Sequence, residues 1–251
     1  MLPNFIHVGA AKCASSWLWR VYQEHPDVYV PLHLDNVNFF VADYHKGLDW
    51  YQEAYFDDWC GEKAVGEMSN SYMVFEPAIA RIVRDLPGVK LTATVRNPID
   101  RAFLSWVHMN KRRFQPDQRM EFERVLDSHG HGLFGLWVMP SLYSLHFKRL
   151  FQYASRERLR IMFYEDLVAD PAGFLRGLFE YLEVDSDFQP SILHQRVNKV
   201  THYPTPEAPQ PEDQIIAEGI SEEVRDSLRK IFQEDIEALQ EITGRDLSHW
   251  Q

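Results

Sequence analysis

Cysteine is scarce in this chain of 251 residues: only Cys13 and Cys60 occur. Two cysteines in unlike settings give no disulfide framework and no CxxC metal pair, so a reducing cytoplasm is the expected compartment. Positive charge is short as well. With 26 Lys and Arg against 37 Asp and Glu, the formal net charge is −11. A nucleic-acid binder needs a broad basic surface, and so does an enzyme for a long polyanionic acceptor. Both are therefore disfavoured, whereas a small anionic ligand in a local basic pocket is not. Long apolar runs are missing too. Stretches such as Lys90 to Val95 fall far short of a bilayer span, and the N-terminus lacks a basic segment leading into an apolar one, so a soluble, unprocessed chain is expected.

What remains is ordinary globular material: 45% hydrophobic and 25% charged residues, read as a single domain over residues 1–251. Phe5 to Val8 is a short β-like run that ends in the small-residue loop Gly9-Ala-Ala-Lys-Cys-Ala-Ser-Ser16. Trp17 to Glu24 then takes helical spacing. Residues 26–60 read as irregular apart from an amphipathic piece at Leu48 to Phe56, and Val65 to Glu67 as a short strand. A helix follows Pro77 to about Leu86. Val89 to Val95 is the clearest buried strand, and Pro98 opens a helix to about Arg113. Helices are expected at Phe122–Leu126 and Leu142–Tyr153, a strand at Leu159–Tyr164, and helices at Pro171–Leu182 and Glu222–Thr243. Alternation of this kind predicts an α/β fold, a parallel sheet flanked by helices. The segment 186–213 carries five prolines, Pro190, Pro204, Pro206, Pro209 and Pro211, and reads as a long loop placed to act as a lid.

A small-residue loop between a buried strand and a helix start presents backbone N–H groups and the positive end of a helix dipole to an oxyanion. Lys12 adds a charge, and Ser15 and Ser16 add hydroxyls. No second Gly precedes the Lys, so the Walker pattern is absent and a degenerate P-loop kinase is the weaker alternative. Lys12-Cys-Ala-Ser-Ser-Trp-Leu18 resembles the 5′-phosphosulfate loop Lys-x-Gly-Thr-Thr-x-Leu of sulfotransferases that use 3′-phosphoadenosine 5′-phosphosulfate (PAPS). Arg96-Asn-Pro-Ile-Asp-Arg-Ala-Phe-Leu-Ser105 is similar to the family's 3′-phosphate segment, with Ser105 one residue further from the Arg than usual. On a helix that residue turns the side chain by about 100°. Tyr44 to Tyr51 looks like a segment of the heparan sulfate N-sulfotransferase group. Glu67-Met-Ser-Asn-Ser-Tyr72 is similar to Glu-Lys-Thr-Pro-x-Tyr, and Phe163 to Pro171 and Gly244 to Trp250 also follow the family pattern.

The resemblance, together with the loop, makes the expected parallel sheet P-loop-like. It implies a sulfotransferase with PAPS as donor, whose nucleotide site draws on Lys12, Cys13, Ala14, Ser15, Ser16, Trp17, Arg96, Ser105, Arg196 and Lys199. Charge develops on the leaving phosphate during transfer, as in phosphoryl transfer, and Lys12 with the loop amides is suited to hold it. No metal is required on this scheme. The acceptor, a small molecule, a glycan or a carrier-tethered intermediate, must lose a proton to a general base. In the heparan sulfate group the base is the Glu of Lys-Glu-x-x-Phe-Phe. Here Asp35-Asn-Val-Asn-Phe39-Phe40 puts Asn36 at that position, and an amide cannot take the proton. His33 and Asp35 are the nearest substitutes, with His33 slightly favoured because other branches of the family use a His as base and imidazoles as a class titrate near neutral pH, and His108 is a third candidate. A nucleotide-binding protein that has lost catalysis is the rival reading.

Overall fold

The computed structural model describes residues 1–113, 121–127, 132–195 and 219–250. In chain order its regular elements are β1 (Phe5–Gly9), α1 (Ser15–Glu24), β2 (Val28–Tyr29), α2 (Leu48–Phe56), β3 (Ala64–Met68), α3 (Glu76–Asp85), β4 (Lys90–Val95), α4 (Pro98–Arg113), α5 (Arg124–Asp127), α6 (Leu133–Trp137), α7 (Tyr143–Leu150), β5 (Leu159–Phe163), α8 (Tyr164–Ala169), α9 (Pro171–Leu182) and α10 (Glu222–Thr243). The chain divides into two compact units, Met1–Val95 with His146–Val197 and Arg96–Leu145 with Asn198–Gln251.

The first unit holds the sheet. Its order is β2-β3-β1-β4-β5, and every neighbouring pair is parallel. Every residue of β1 and β3 is buried, as strands covered on both faces require. On one side, α1 and α9 press Leu18, Val21, Tyr22, Leu175 and Phe179 into a common core with Phe5. A second aromatic cluster follows β2: the Phe39 and Tyr51 rings stack with centroids 4.1 Å apart, and Phe40 meets Tyr72 edge-on at 5.8 Å. β3 lies so close to β1 that a Cβ on Gly66 would fall 2.3 Å from the Phe5 ring, so only Gly permits that approach.

The second unit is helical among the described residues. Buried Arg101 on α4 donates to Ser141 Oγ and to the Trp137 carbonyl. Asp235 on α10 accepts from Ser144 Oγ at 2.7 Å and from the Leu145 amide at 3.2 Å, which caps the start of α7.

The expected parallel α/β sheet flanked by helices is present. Helices α9 and α10 take the bounds read from the sequence. Differences fall at ends and in the irregular stretch. Residues 26–60 contain the edge strand β2, too short at two residues to show alternation. Tyr164 opens α8 rather than closing β5. Phe122 and Glu123 form a turn before α5, and α7 stops at Leu150. Of the long loop 186–213, residues 186–195 run as turns and irregular backbone, and the remainder lies outside the described residues.

Candidate functional site

β1 delivers the chain into the loop at the sheet's C-terminal edge, where parallel α/β folds place their ligands. The Ala10 amide donates to Thr94 O at 2.9 Å, which ties the loop to β4. Gly9 has φ 138°, and a Cβ there would lie 2.8 Å from Met73 Sδ and 3.1 Å from the Asn70 carbonyl. Lys12 (φ 71°) and Ala14 (φ 67°) both take left-handed backbone, and such turns gather successive N–H groups into an anion-facing concavity. Ala14 is the N-cap residue of α1. Its carbonyl accepts from the Trp17 and Leu18 amides at 3.0 Å each, and no side chain caps the helix start. An uncapped N-terminus next to Lys12 keeps its positive end available to an anion.

The segment 35–38 crosses this loop. Ser16 Oγ donates to Asp35 Oδ2 at 3.1 Å. Asn36 Oδ1 accepts from the Asn70 amide at 2.9 Å, and Asn70 Nδ2 donates to Ser15 Oγ at 3.2 Å. Beneath them the Asn38 amide donates to Ser69 Oγ at 2.8 Å, and Ser69 Oγ donates to Glu67 Oε2 at 2.7 Å. The hydroxyls of Tyr51 and Tyr72 donate to Glu67 Oε1 at 2.9 and 2.8 Å. Burial raises the Glu67 carboxyl to about 7, against the opposing pull of its three hydroxyl donors.

The structure therefore brings Asp35 to the loop, whereas no described hydrogen bond joins His33 to it and His33 is exposed. Cys13 is fully buried. Trp17 is committed to the core, its indole N–H donating to Ile192 O at 3.2 Å. In the second unit, Arg96 directly follows β4 and Ser105 lies on α4; both are buried, and His108 on the same helix is half-buried. Arg196 and Lys199 lie outside the described residues. Among the described residues no cluster of three or more His, Cys, Asp or Glu is placed to hold a metal, and no helix is long and apolar enough to cross a membrane. Sequence reasoning passed over Asn70, Ser69 and the pairing of Tyr51 with Glu67. The available signal was the Ser-Asn-Ser run directly after a buried strand.

A parallel sheet with a small-residue, left-handed loop between its central strand and the following helix is the arrangement of the P-loop-like nucleotide-binding fold class. Within that class the chain belongs to the sulfotransferase family, whose domain model matches residues 2–251, and the expected PAPS-dependent family is thereby met. It is 29% identical over 184 residues to heparan sulfate glucosamine 3-O-sulfotransferase 3B1 of Mus musculus, a match covering 72% of this chain and 46% of that protein. It is 26% identical over 206 residues to bifunctional heparan sulfate N-deacetylase/N-sulfotransferase 4 of Mus musculus, covering 73% and 22%. The chain thus spans less than half the length of these curated relatives. A sulfotransferase from Alicyclobacillus acidocaldarius superposes along 100% of this chain and 99% of its own, with TM-score 0.79 and 26% identity. Mouse sulfotransferase SULT7A1, solved with PAP, shares the fold at TM-score 0.53 and 15% identity, covering 97% of this chain and 85% of that one.

Proposed function

We propose that this chain moves a sulfuryl group from PAPS to a hydroxyl or amine of a small acceptor, with a glycan or carrier-tethered substrate as the other forms such a group can take. One observation carries the reading: a carboxylate, Asp35, meets an anion-holding loop through Ser16 at 3.1 Å. The residues present fit the donor, because the loop offers an uncapped helix start, left-handed backbone at Lys12 and Ala14, and two serine hydroxyls. PAPS, when bound, supplies the transferable sulfuryl group and departs as the bisphosphate PAP.

Lys12 and the loop amides from Cys13 to Ser16 hold the phosphosulfate end and stabilise the charge that builds there. Loss of one such donor costs about two to three powers of ten in rate. Asp35 takes the proton as the acceptor's oxygen or nitrogen bonds to sulfur. Its contact with the loop favours it over exposed His33. By resemblance, Arg96 and Ser105 hold the nucleotide's 3′-phosphate, and Arg196 and Lys199 close over it. Trp17 contributes packing at the base of the loop. Cationic side chains suffice to neutralise the phosphates, so the scheme uses no metal. With two cysteines and no disulfide among the described residues, a reducing compartment such as the cytoplasm suits the chain.

Calorimetric titration with PAP alongside ATP and Mg²⁺ tests the reading. PAP binds in preference to ATP, and both Lys12→Ala and Arg96→Ala weaken it. Asp35→Asn removes turnover while keeping PAP affinity, and His33→Ala keeps most of the turnover. A protein that ignores PAP or prefers ATP with Mg²⁺ is not a sulfotransferase in action, whatever its fold.

A further inference from the structure

Two departures from the family pattern are each other's hydrogen-bond partners. Asn36 stands at the position of the family's Glu base, and Asn70 stands where Glu-Lys-Thr-Pro-x-Tyr has its proline. The Asn70 amide donates to Asn36 Oδ1 at 2.9 Å, a bond that a proline, lacking an N–H, cannot make. Asn70 then turns its side chain to the phosphate loop, where Nδ2 donates to Ser15 Oγ at 3.2 Å.

A serine hydroxyl has one proton to give and two lone pairs to receive with. Ser16 spends its proton on Asp35 Oδ2. Ser15 instead receives a proton from Asn70, which leaves its own O–H directed elsewhere. The two adjacent serines are therefore polarised in opposite senses: Ser16 is tied to the acceptor-side carboxylate, and Ser15 is set as a donor.

We propose that Asn70 is a positioning residue that fixes the polarity of the Ser15 hydroxyl, so that Ser15 donates to the 5′-phosphate end of the bound nucleotide, and that Asn36 is retained as an amide to anchor Asn70. This rests on the PAPS reading of the loop. It gives Asn36 a role that needs no proton transfer and leaves the base function to Asp35. Asn70 Oδ1, the other end of the same amide, is buried with no hydrogen-bond partner among the described residues. The orientation of that amide thus depends on its bond to Ser15, and the Asn70→Asp variant reads it directly.

The test is a double-mutant cycle read by PAP affinity, with melting temperature recorded for each variant. Ser15→Ala weakens PAP by about tenfold, the scale of a hydrogen bond to a charged group. Asn70→Ala weakens it less, by about threefold, the scale of a hydrogen bond between neutral groups. In the Ser15→Ala background, Asn70→Ala has no further effect, which a merely structural role would not produce. Asn70→Asp keeps the backbone bond to Asn36 but can only accept from Ser15. It draws the hydroxyl proton away from the anion and weakens PAP more than Asn70→Ala does; being near-isosteric, it also serves where the Ala variant does not fold. Additive effects of the two Ala substitutions, or wild-type affinity in Asn70→Asp, overturn the inference. Failure of the wild type to bind PAP overturns the functional reading itself and takes this inference with it.

Discussion

Ala14 carries the loop's sharpest local conflict. At φ 67° and ψ 18° it holds a left-handed conformation that costs an L side chain about 1–2 kcal/mol, where the family pattern has Gly. Replacing it with Gly removes that cost but returns about 0.5–1 kcal/mol of backbone entropy to the unfolded chain. Ala14→Gly is therefore expected to stabilise the protein by up to about 1.5 kcal/mol, read as a higher urea midpoint at unchanged slope. A lower midpoint would mean that the Ala14 methyl group contributes packing worth more than the strain. The residue's place in the small-residue loop between β1 and α1 was legible from its neighbours. Its conformation was not, because alanine's intrinsic preference points away from it. The proposed base shows the same division: His33 and Asp35 were both legible as candidates, and the contact that favours Asp35 comes from Ser16, 19 residues away in the chain. Asn70 was legible as a letter in a motif and not as a partner, since its partners Asn36 and Ser15 come from two other stretches of chain.

Between elements, the adjacent strands β1 and β3 bury two titratable groups whose effects on stability oppose each other. Glu67 is raised from 4.5 to about 7 by burial, so the folded state keeps a proton that the unfolded chain releases, and stability falls as pH rises from about 4.5 to 7. His7 is lowered from 6.5 to about 3, again by burial. The unfolded chain therefore binds a proton that the folded state refuses, and stability rises with pH from about 3 to 6.5. From about 4.5 to 6.5 the two slopes, each about 1.4 kcal/mol per pH unit, cancel. Glu67→Gln removes one of them. The stability of that variant relative to wild type should climb by about 3 kcal/mol between pH 4.5 and 7.5, measured by denaturant unfolding at each pH. A difference that stays flat with pH would show Glu67 to be ionised throughout. The strands themselves were legible as apolar runs. The cross-chain network of Glu67, Tyr51, Ser69 and Tyr72 was not, because period and composition carry no information on which buried hydroxyl meets which carboxylate. The two-residue strand β2 escaped for a simpler reason: a sheet edge set by pairing with β3 needs no pattern of its own.

At the scale of the whole molecule, the β–α alternation was enough to imply a parallel sheet, because short right-handed crossovers leave few other solutions. The strand order was beyond it, as was the division into two compact units. Net charge is the remaining global quantity, and it bears on the acceptor. The curated relatives are named for heparan sulfate, a long polyanion, whereas this chain carries −11. At physiological salt, fields decay over about 8 Å, so a local basic pocket can hold a nucleotide while the wider surface repels a chain of sulfates. A sulfated glycan long enough to run beyond the pocket should therefore bind weakly. Fluorescently labelled heparin fragments titrated at 0.15 M salt, the physiological ionic strength, measure this by anisotropy. The expected result is no saturable binding below the millimolar range, the scale of about −4 kcal/mol. Micromolar binding that falls steeply with added salt would show that basic side chains gather along one face despite the net charge. The acceptor would then have to be sought among extended acidic glycans rather than small molecules.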